Sequence, residues 1–104
     1  MIKSGVPNLP IYDRTRRFDR DYERLSKQQR AEFKVALQKF LQDLPGRRFR
    51  AGLRVKGIQA AGGVFEMSWS GDGRATFQYG DQVEEGQPHV IWRRIGGHGV
   101  LGDP

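Results

Sequence analysis

At 104 residues the chain is long enough for one modest hydrophobic core and too short for two, so it reads as a single domain over residues 1-104. Eighteen Lys and Arg against twelve Asp and Glu give a formal net charge of +6, and thirteen of the eighteen cations precede residue 53, so a polyanion such as nucleic acid leads the partner classes. The absence of cysteine excludes disulfides, thiol catalysis and thiolate metal sites, no apolar run approaches the roughly 20 residues a bilayer span needs, and Met1 to Gly5 lacks the apolar core of a signal peptide; these features predict a soluble cytoplasmic protein without a membrane partner.

In chain order, residues 1-12 read as a loose lead, broken by Gly5, Pro7 and Pro10, that contributes at most a short edge strand at Ile11 and Tyr12. Phe18, Tyr22 and Leu25 then fall at i, i+4 and i+7, the apolar stripe of a first helix starting near Thr15. Ser26-Lys27-Gln28-Gln29 has the form of a capping box, so a second helix begins there, with Phe33, Ala36, Leu37, Phe40, Leu41 and Leu44 on its apolar side and Pro45-Gly46 as its stop. Beyond Gly46 the period becomes two. Leu53 to Ile58 alternates apolar and basic residues and predicts a strand with Arg54 and Lys56 on one face; Val64 to Ser70 and Arg74 to Tyr79 follow as strands around a Gly71-Asp72-Gly73 turn in which glycine is expected to supply positive φ. A polar loop over 80-88 leads to a last strand, His89 to Ile95, and a short extension through Val100 and Leu101. Two helices followed by a strand meander predict an α+β fold: two antiparallel N-terminal helices on one face of a twisted, mainly antiparallel four- to five-stranded sheet, with the opposite face open to a ligand.

Chemistry concentrates on that open face. Arg74 opens a strand beside a glycine turn, where a guanidinium can grip a phosphate through two parallel hydrogen bonds and stabilise charge that develops on it. His98, between Gly97 and Gly99 at the end of the last strand, is the better placed of the two histidines for proton transfer near neutral pH. Glu66 lies in the exposed register one hairpin from Arg74 and reads either as its ion-pair partner or as a general base, and Lys56 is the alternative base. Arg47, Arg48, Arg50 and Arg54, together with Arg93 and Arg94, form a basic rim able to follow an RNA backbone. His89 supplies no second ligand at helical spacing to His98, so neither a metal nor another cofactor is expected. Trp69 and Trp92 read as core, Tyr79 as core or stacking platform.

Taken in order, Phe18-Asp19-Arg20-Asp21-Tyr22-Glu23-Arg24-Leu25, a second helix, Leu53-Arg54-Val55-Lys56, Phe65-Glu66, Gly73-Arg74-Ala75-Thr76-Phe77 and Val90 to His98 resemble the RelE/ParE superfamily of toxins from type II toxin–antitoxin systems. The resemblance implies a compact toxin that cleaves mRNA on the ribosome, with an antitoxin protein as second partner. It also implies shared work by basic residues on the first long strand (Arg54, Lys56), an arginine opening a middle strand (Arg74) and a titratable residue near the last strand (His98). Gly99-Val100-Leu101 departs from the pattern of many ribonuclease members, which place a tyrosine there. The reaction implied is attack of an RNA 2′-hydroxyl on the adjacent phosphorus. Two other functions fit the same scaffold: ParE-like inhibition of DNA gyrase, and non-catalytic nucleic-acid binding.

Overall fold

The computed structural model describes residues 11-81 and 88-104. The described elements are β1 (Ile11–Arg14), α1 (Arg16–Glu23), α2 (Lys27–Asp43), β2 (Lys56–Gly57), β3 (Val64–Ser68), β4 (Arg74–Tyr79) and β5 (His89–Gly96), with a 3-10 helix at His98–Gly102. They form an α+β fold with one sheet in the order β1-β5-β4-β3-β2, in which β1 runs parallel to β5 and every other pairing is antiparallel.

Local signals set the helix ends. Thr15 caps α1 by accepting from the Phe18 amide at 3.0 Å, while its hydroxyl donates to the Arg93 carbonyl at 2.9 Å and so fastens the helix start to β5. The expected capping box opens α2: the Ser26 hydroxyl accepts from the Gln29 amide at 3.1 Å, and Gln29 Oε1 accepts from the Ser26 amide at 2.7 Å. Arg30 reaches back from α2 to the Tyr22 and Glu23 carbonyls, which ties the end of α1 to α2, and its guanidinium lies 5.0 Å from the centre of the Tyr22 ring. Both helices pack on the same side of the sheet. Phe18, Phe33, Phe40 and Phe77 surround Trp92 with centroid separations of 6.2, 5.8, 5.0 and 5.4 Å, and Leu44, Met67, Ala75, Val90 and Ile95 complete the core.

A bulge in β5 lets two inward residues stand three apart. Thr76 pairs with Arg94 and Phe77 with Trp92, so Arg93 is the extra residue; Trp92 and Ile95 both enter the core while Arg93 and Arg94 leave it.

Three expectations give way. Leu53 to Ile58 is not one strand: Ala51–Leu53 forms a 3-10 turn, Arg54 takes the left-handed conformation (φ 48, ψ 44), and only Lys56–Gly57 pairs with β3. Asp43 holds both the main-chain amide and the guanidinium of Arg50, which anchors this segment to the end of α2, and Leu53 enters the core from the turn; Arg54 and Lys56 therefore do not share a strand face. The sheet face opposite the helices is partly covered. The chain beyond β5 folds across it, so that Thr76 is fully buried with its hydroxyl donating to the Pro104 carbonyl, which also accepts from Arg93 Nε at 3.0 Å. Finally, Gly63 is the glycine with positive φ among the described residues, not Gly71 or Gly73. Glycine is required at 73 for space: a Cβ there would stand 2.5 Å from the Trp69 ring and from Ser70 Oγ. The edge strand expected at Ile11 and Tyr12 forms and extends to Arg14, whereas residues 1-10 and most of the 80-88 loop lie outside the described residues.

Candidate functional site

The site gathers where the β3–β4 hairpin meets the end of β5. The hairpin closes with the Trp69 amide donating to the Gly73 carbonyl at 3.1 Å, and Ser68 pairs across to Arg74. Arg74 in turn pairs with Gly96, and Gly97 lies so close to the hairpin that a Cβ there would be 2.6 Å from Asp72 Oδ2. His98 follows directly, exposed, at the start of the last 3-10 helix. Glycine at 96 and 97 thus permits the close packing that carries His98 to the same end of the sheet as Arg74.

The side chain of Arg74 is 13% exposed, and its guanidinium is fixed by the turn it follows: Nη1 donates to the carbonyls of Gly73, Gly71 and Ser70 at 2.9, 3.3 and 3.5 Å. Its Nε is buried without a hydrogen-bond partner and stands 3.9 Å from Glu66 Oε1. Glu66 is buried between two cations, because the same oxygen lies 3.9 Å from Nζ of Lys56, whose side chain is exposed. A carboxylate, a lysine and an arginine therefore share one locus beside Ser68.

Between this hairpin and α2 runs a cleft of about 280 Å³, lined among others by Val35, Ala36, Leu53, Arg54, Trp69 and Arg74. Arg50 and Lys39 also border it. Sequence reasoning did not single out Val35, Lys39 or Ser68; the alternation that put Glu66 on one face also put Ser68 there, but the helix wall of the cleft has no signal in sequence.

The basic rim divides. Arg48, Arg54 and Lys56 are exposed, and none is held at short range by an acid, Lys56 standing 3.9 Å from Glu66. Arg47, also in a left-handed conformation (φ 51), lays its guanidinium 4.4 Å from the centre of the Tyr79 ring. Burial raises the Tyr79 hydroxyl above its ordinary value, an effect that the charge of Arg47 opposes. Arg50 is clamped by Asp43, with Nε to Oδ2 at 2.8 Å and Nη2 to Oδ1 at 2.9 Å. The hydrogen bonds from the Arg50 side chain, then from its amide, hold the Asp43 carboxyl down at about 2. Arg93 bonds Gln78 and the Pro104 carbonyl. Arg94 is locked to the buried Asp21, Nε to Oδ2 at 2.6 Å, with the same carboxylate accepting from the Ile95 amide at 3.2 Å.

Among the described residues there is no group of three His, Cys, Asp or Glu that could hold a metal ion, and no helix long and apolar enough to cross a membrane. His89 is occupied at both ring nitrogens, by Asp13 at 2.8 Å and by the Asp81 carbonyl at 2.9 Å, whereas His98 makes no hydrogen bond among the described residues.

No protein-family model and no curated protein matches the sequence. Solved structures do. A chain of the E. coli DinJ–YafQ toxin–antitoxin complex superposes with a TM-score of 0.67 at 13% identity, over 88% of this chain and 96% of that one. YafQ from E. coli BL21(DE3) gives 0.61 at 14% identity, over 88% and 97%. The RelB–RelE antitoxin–toxin complex from Methanococcus jannaschii gives 0.59 at 15% identity, over 88% and 95%. At such identities the likeness establishes a shared fold: the chain has the fold of the RelE-like toxins.

Proposed function

We propose that the chain is the toxin of a type II toxin–antitoxin system, an endoribonuclease that cuts mRNA on the ribosome in the cytoplasm and is silenced by a cognate antitoxin. The observation that carries this reading is the constellation at the hairpin end of a RelE-like fold: Arg74 with a buried unpartnered Nε, Glu66 held between it and Lys56, and an unbonded His98 two residues beyond the cross-strand partner of Arg74.

In this mechanism Glu66, or Lys56 in its place, accepts the proton of an RNA 2′-hydroxyl. The 2′-oxygen bonds to the adjacent phosphorus. Arg74 donates from Nη2, the guanidinium nitrogen that its turn carbonyls leave free among the described residues, to a non-bridging oxygen and, with Arg54, stabilises the charge that builds there. The bond from phosphorus to the 5′-oxygen breaks, and protonated His98 delivers a proton to that oxygen, leaving a 2′,3′-cyclic phosphate and a 5′-hydroxyl. Every step needs the 2′-hydroxyl, so DNA of the same sequence is inert. Rigid turn carbonyls hold Arg74 before substrate arrives, so little reorganisation accompanies the reaction.

The test is to induce the chain in a bacterium without its antitoxin and to map message 5′ ends in parallel with plasmid supercoiling. The expected result is growth arrest with defined cuts in translated messages and normal supercoiling. His98→Ala is expected to lower the cleavage rate by about a hundred- to ten-thousand-fold while the protein stays folded. Full arrest by both Arg74→Ala and His98→Ala, or relaxed plasmids with intact messages, overturns the proposal; the second outcome is that of a gyrase poison.

A further inference from the structure

We infer that the cleft between α2 and the β3–β4 hairpin is a nucleobase pocket, which receives the base of a ribonucleotide whose phosphate lies at Arg74 and reads it with the main chain of Ser68. The inference rests on the nuclease reading above and deepens it by naming what the wall of the site selects.

The argument starts from an interrupted sheet edge. Main-chain groups alternate in direction along a strand. Just past β3 the Trp69 amide points to the β4 side, where it reaches the Gly73 carbonyl, and in β3 the Val64 carbonyl points to the β2 side, where it accepts from the Ile58 amide at 2.9 Å. Glu66 and Ser68 share the direction of Val64. The β2 pairing reaches Lys56, opposite Glu66, and stops there. The residue that would stand opposite Ser68 is Arg54, but its left-handed turn has taken the chain away from the sheet. The amide and carbonyl of Ser68 are thus left without a hydrogen bond among the described residues, side by side, on the border of the cleft. An adjacent donor and acceptor held in one plane is the complement of a base edge.

The rest of the cleft suits a nucleotide. Its walls are apolar where a base would lie, at Val35, Ala36, Leu53 and Trp69, and Val35 is the exposed large hydrophobic residue among those described, at 54%. Its borders are cationic where a phosphate would lie: Lys39, Arg54 and Arg74 against one acid, Glu32, with Arg50 already paired to Asp43. That imbalance favours a nucleotide over an added peptide strand, which the free edge alone would also accept. The volume of about 280 Å³ is that of a small-ligand site and too little for an extended oligomer. Arg74 Nη2, left without a hydrogen bond among the described residues by the turn carbonyls that hold Nη1, is the donor that the cleft offers to a phosphate.

The experiment is a two-dimensional NMR titration of the full chain with each of the four ribonucleoside 3′-monophosphates, with inorganic phosphate, and with an acidic hexapeptide. One nucleotide is expected to bind at least about tenfold more tightly than the weakest, with saturable shifts at the Ser68 amide and the Trp69 indole N–H, whereas phosphate alone shifts the Arg74 side-chain signals and leaves Ser68 in place. Val35→Arg, a change at an exposed helix position, is expected to keep the thermal midpoint and to erase that discrimination. Equal affinity for all four nucleotides, a Val35→Arg protein that discriminates like the parent, or a Ser68 shift produced by the peptide and by no nucleotide each overturns the inference. Selective nucleotide binding by a chain that cuts no message leaves the pocket standing and removes the nuclease reading; defined cuts by a chain that binds all four nucleotides equally does the reverse.

Discussion

Asp21→Asn is the substitution that separates structural arginine from RNA-binding arginine. The Asp21 carboxylate is 8% exposed and serves three donors at once: Arg94 Nε at 2.6 Å, Arg94 Nη2 at 3.3 Å and the Ile95 amide at 3.2 Å. Breaking a buried pair from one side leaves the other charge uncompensated, which costs about 3–5 kcal/mol. The asparagine oxygen still accepts from one of the three donors, which places the expected loss near the lower bound, about 3 kcal/mol. For a domain of this size each kcal/mol moves the melting midpoint by about 4 °C, so Asp21→Asn is expected to melt about 12 °C below the parent. Arg94→Ala should lose a similar amount, and the double variant should lose far less than the sum, a coupling of several kcal/mol between residues 73 positions apart in sequence. Chemical denaturation of the four proteins measures the cycle, and RNA binding below the midpoint of each measures the rest. Additive losses, or an Arg94→Ala protein that melts like the parent while its RNA affinity drops, would refute the assignment of Arg94 to a structural ion pair.

Arg54→Gly removes a side chain held at φ 48, where a non-glycine residue carries about 1–2 kcal/mol of strain, so the variant should be at least as stable as the parent by denaturation while binding RNA more weakly. Gly73→Ala pushes a methyl group into the Trp69 ring, and because the contact is with a packed ring the expected cost is about 1–3 kcal/mol, read as a lowered denaturation midpoint without a change in slope. Asp43 titrates at about 2 in the folded chain against about 3.9 unfolded, a depressed value, so its contribution to stability is present above pH 4 and is lost as pH falls through 2. Carboxyl NMR should find that midpoint, and Arg50→Ala should return it toward the ordinary range; a midpoint unmoved by Arg50→Ala removes the clamp.

What sequence could reveal of this fold is what short-range patterns encode. The Ser26–Gln29 box, the Phe33–Phe40 stripe and the alternation of β3 and β4 are each set by residues within a few positions of one another, and each forms as expected. The strand expected over Leu53 to Ile58 fails because its alternation is overruled by contacts that local pattern cannot express: Asp43 holding Arg50, and Leu53 finding the core from a 3-10 turn. The site shows the same split. Arg74, Glu66 and Lys56 converge because hairpin register is a local property. The cleft wall at Val35 and the cover over Thr76 depend on how α2 and the last turn of chain cross the sheet, and no spacing records those crossings.

The same distinction governs how charge becomes binding. Eight cations are candidates for phosphate contact, but Arg50 and Arg94 are held by carboxylates, Arg93 by Gln78 and the Pro104 carbonyl, and Arg47 lies against the Tyr79 ring. An arginine already bonded to a carboxylate has no counterion to release, and it contributes little to the salt dependence of binding. Arg48, Arg54 and Lys56 remain, with Arg74, whose Nη1 is held by neutral turn carbonyls and whose Nη2 makes no hydrogen bond among the described residues. For single-stranded RNA the slope of log affinity against log salt is roughly −0.7 per neutralised phosphate, which gives about −2.8 for four contacts and about −5.6 for eight. Between 50 and 200 mM salt the first slope weakens binding by about fifty-fold and the second by about two-thousand-fold, a gap that fluorescence anisotropy with a labelled ten-nucleotide RNA resolves easily. Asp43→Asn sharpens the test, because releasing Arg50 from its clamp should steepen the slope by about 0.7 although the substitution adds no basic residue. A slope near −5.6 in the parent, or one that Asp43→Asn leaves unchanged, would mean that RNA competes away the intramolecular acceptors and that the committed arginines belong to the binding surface after all.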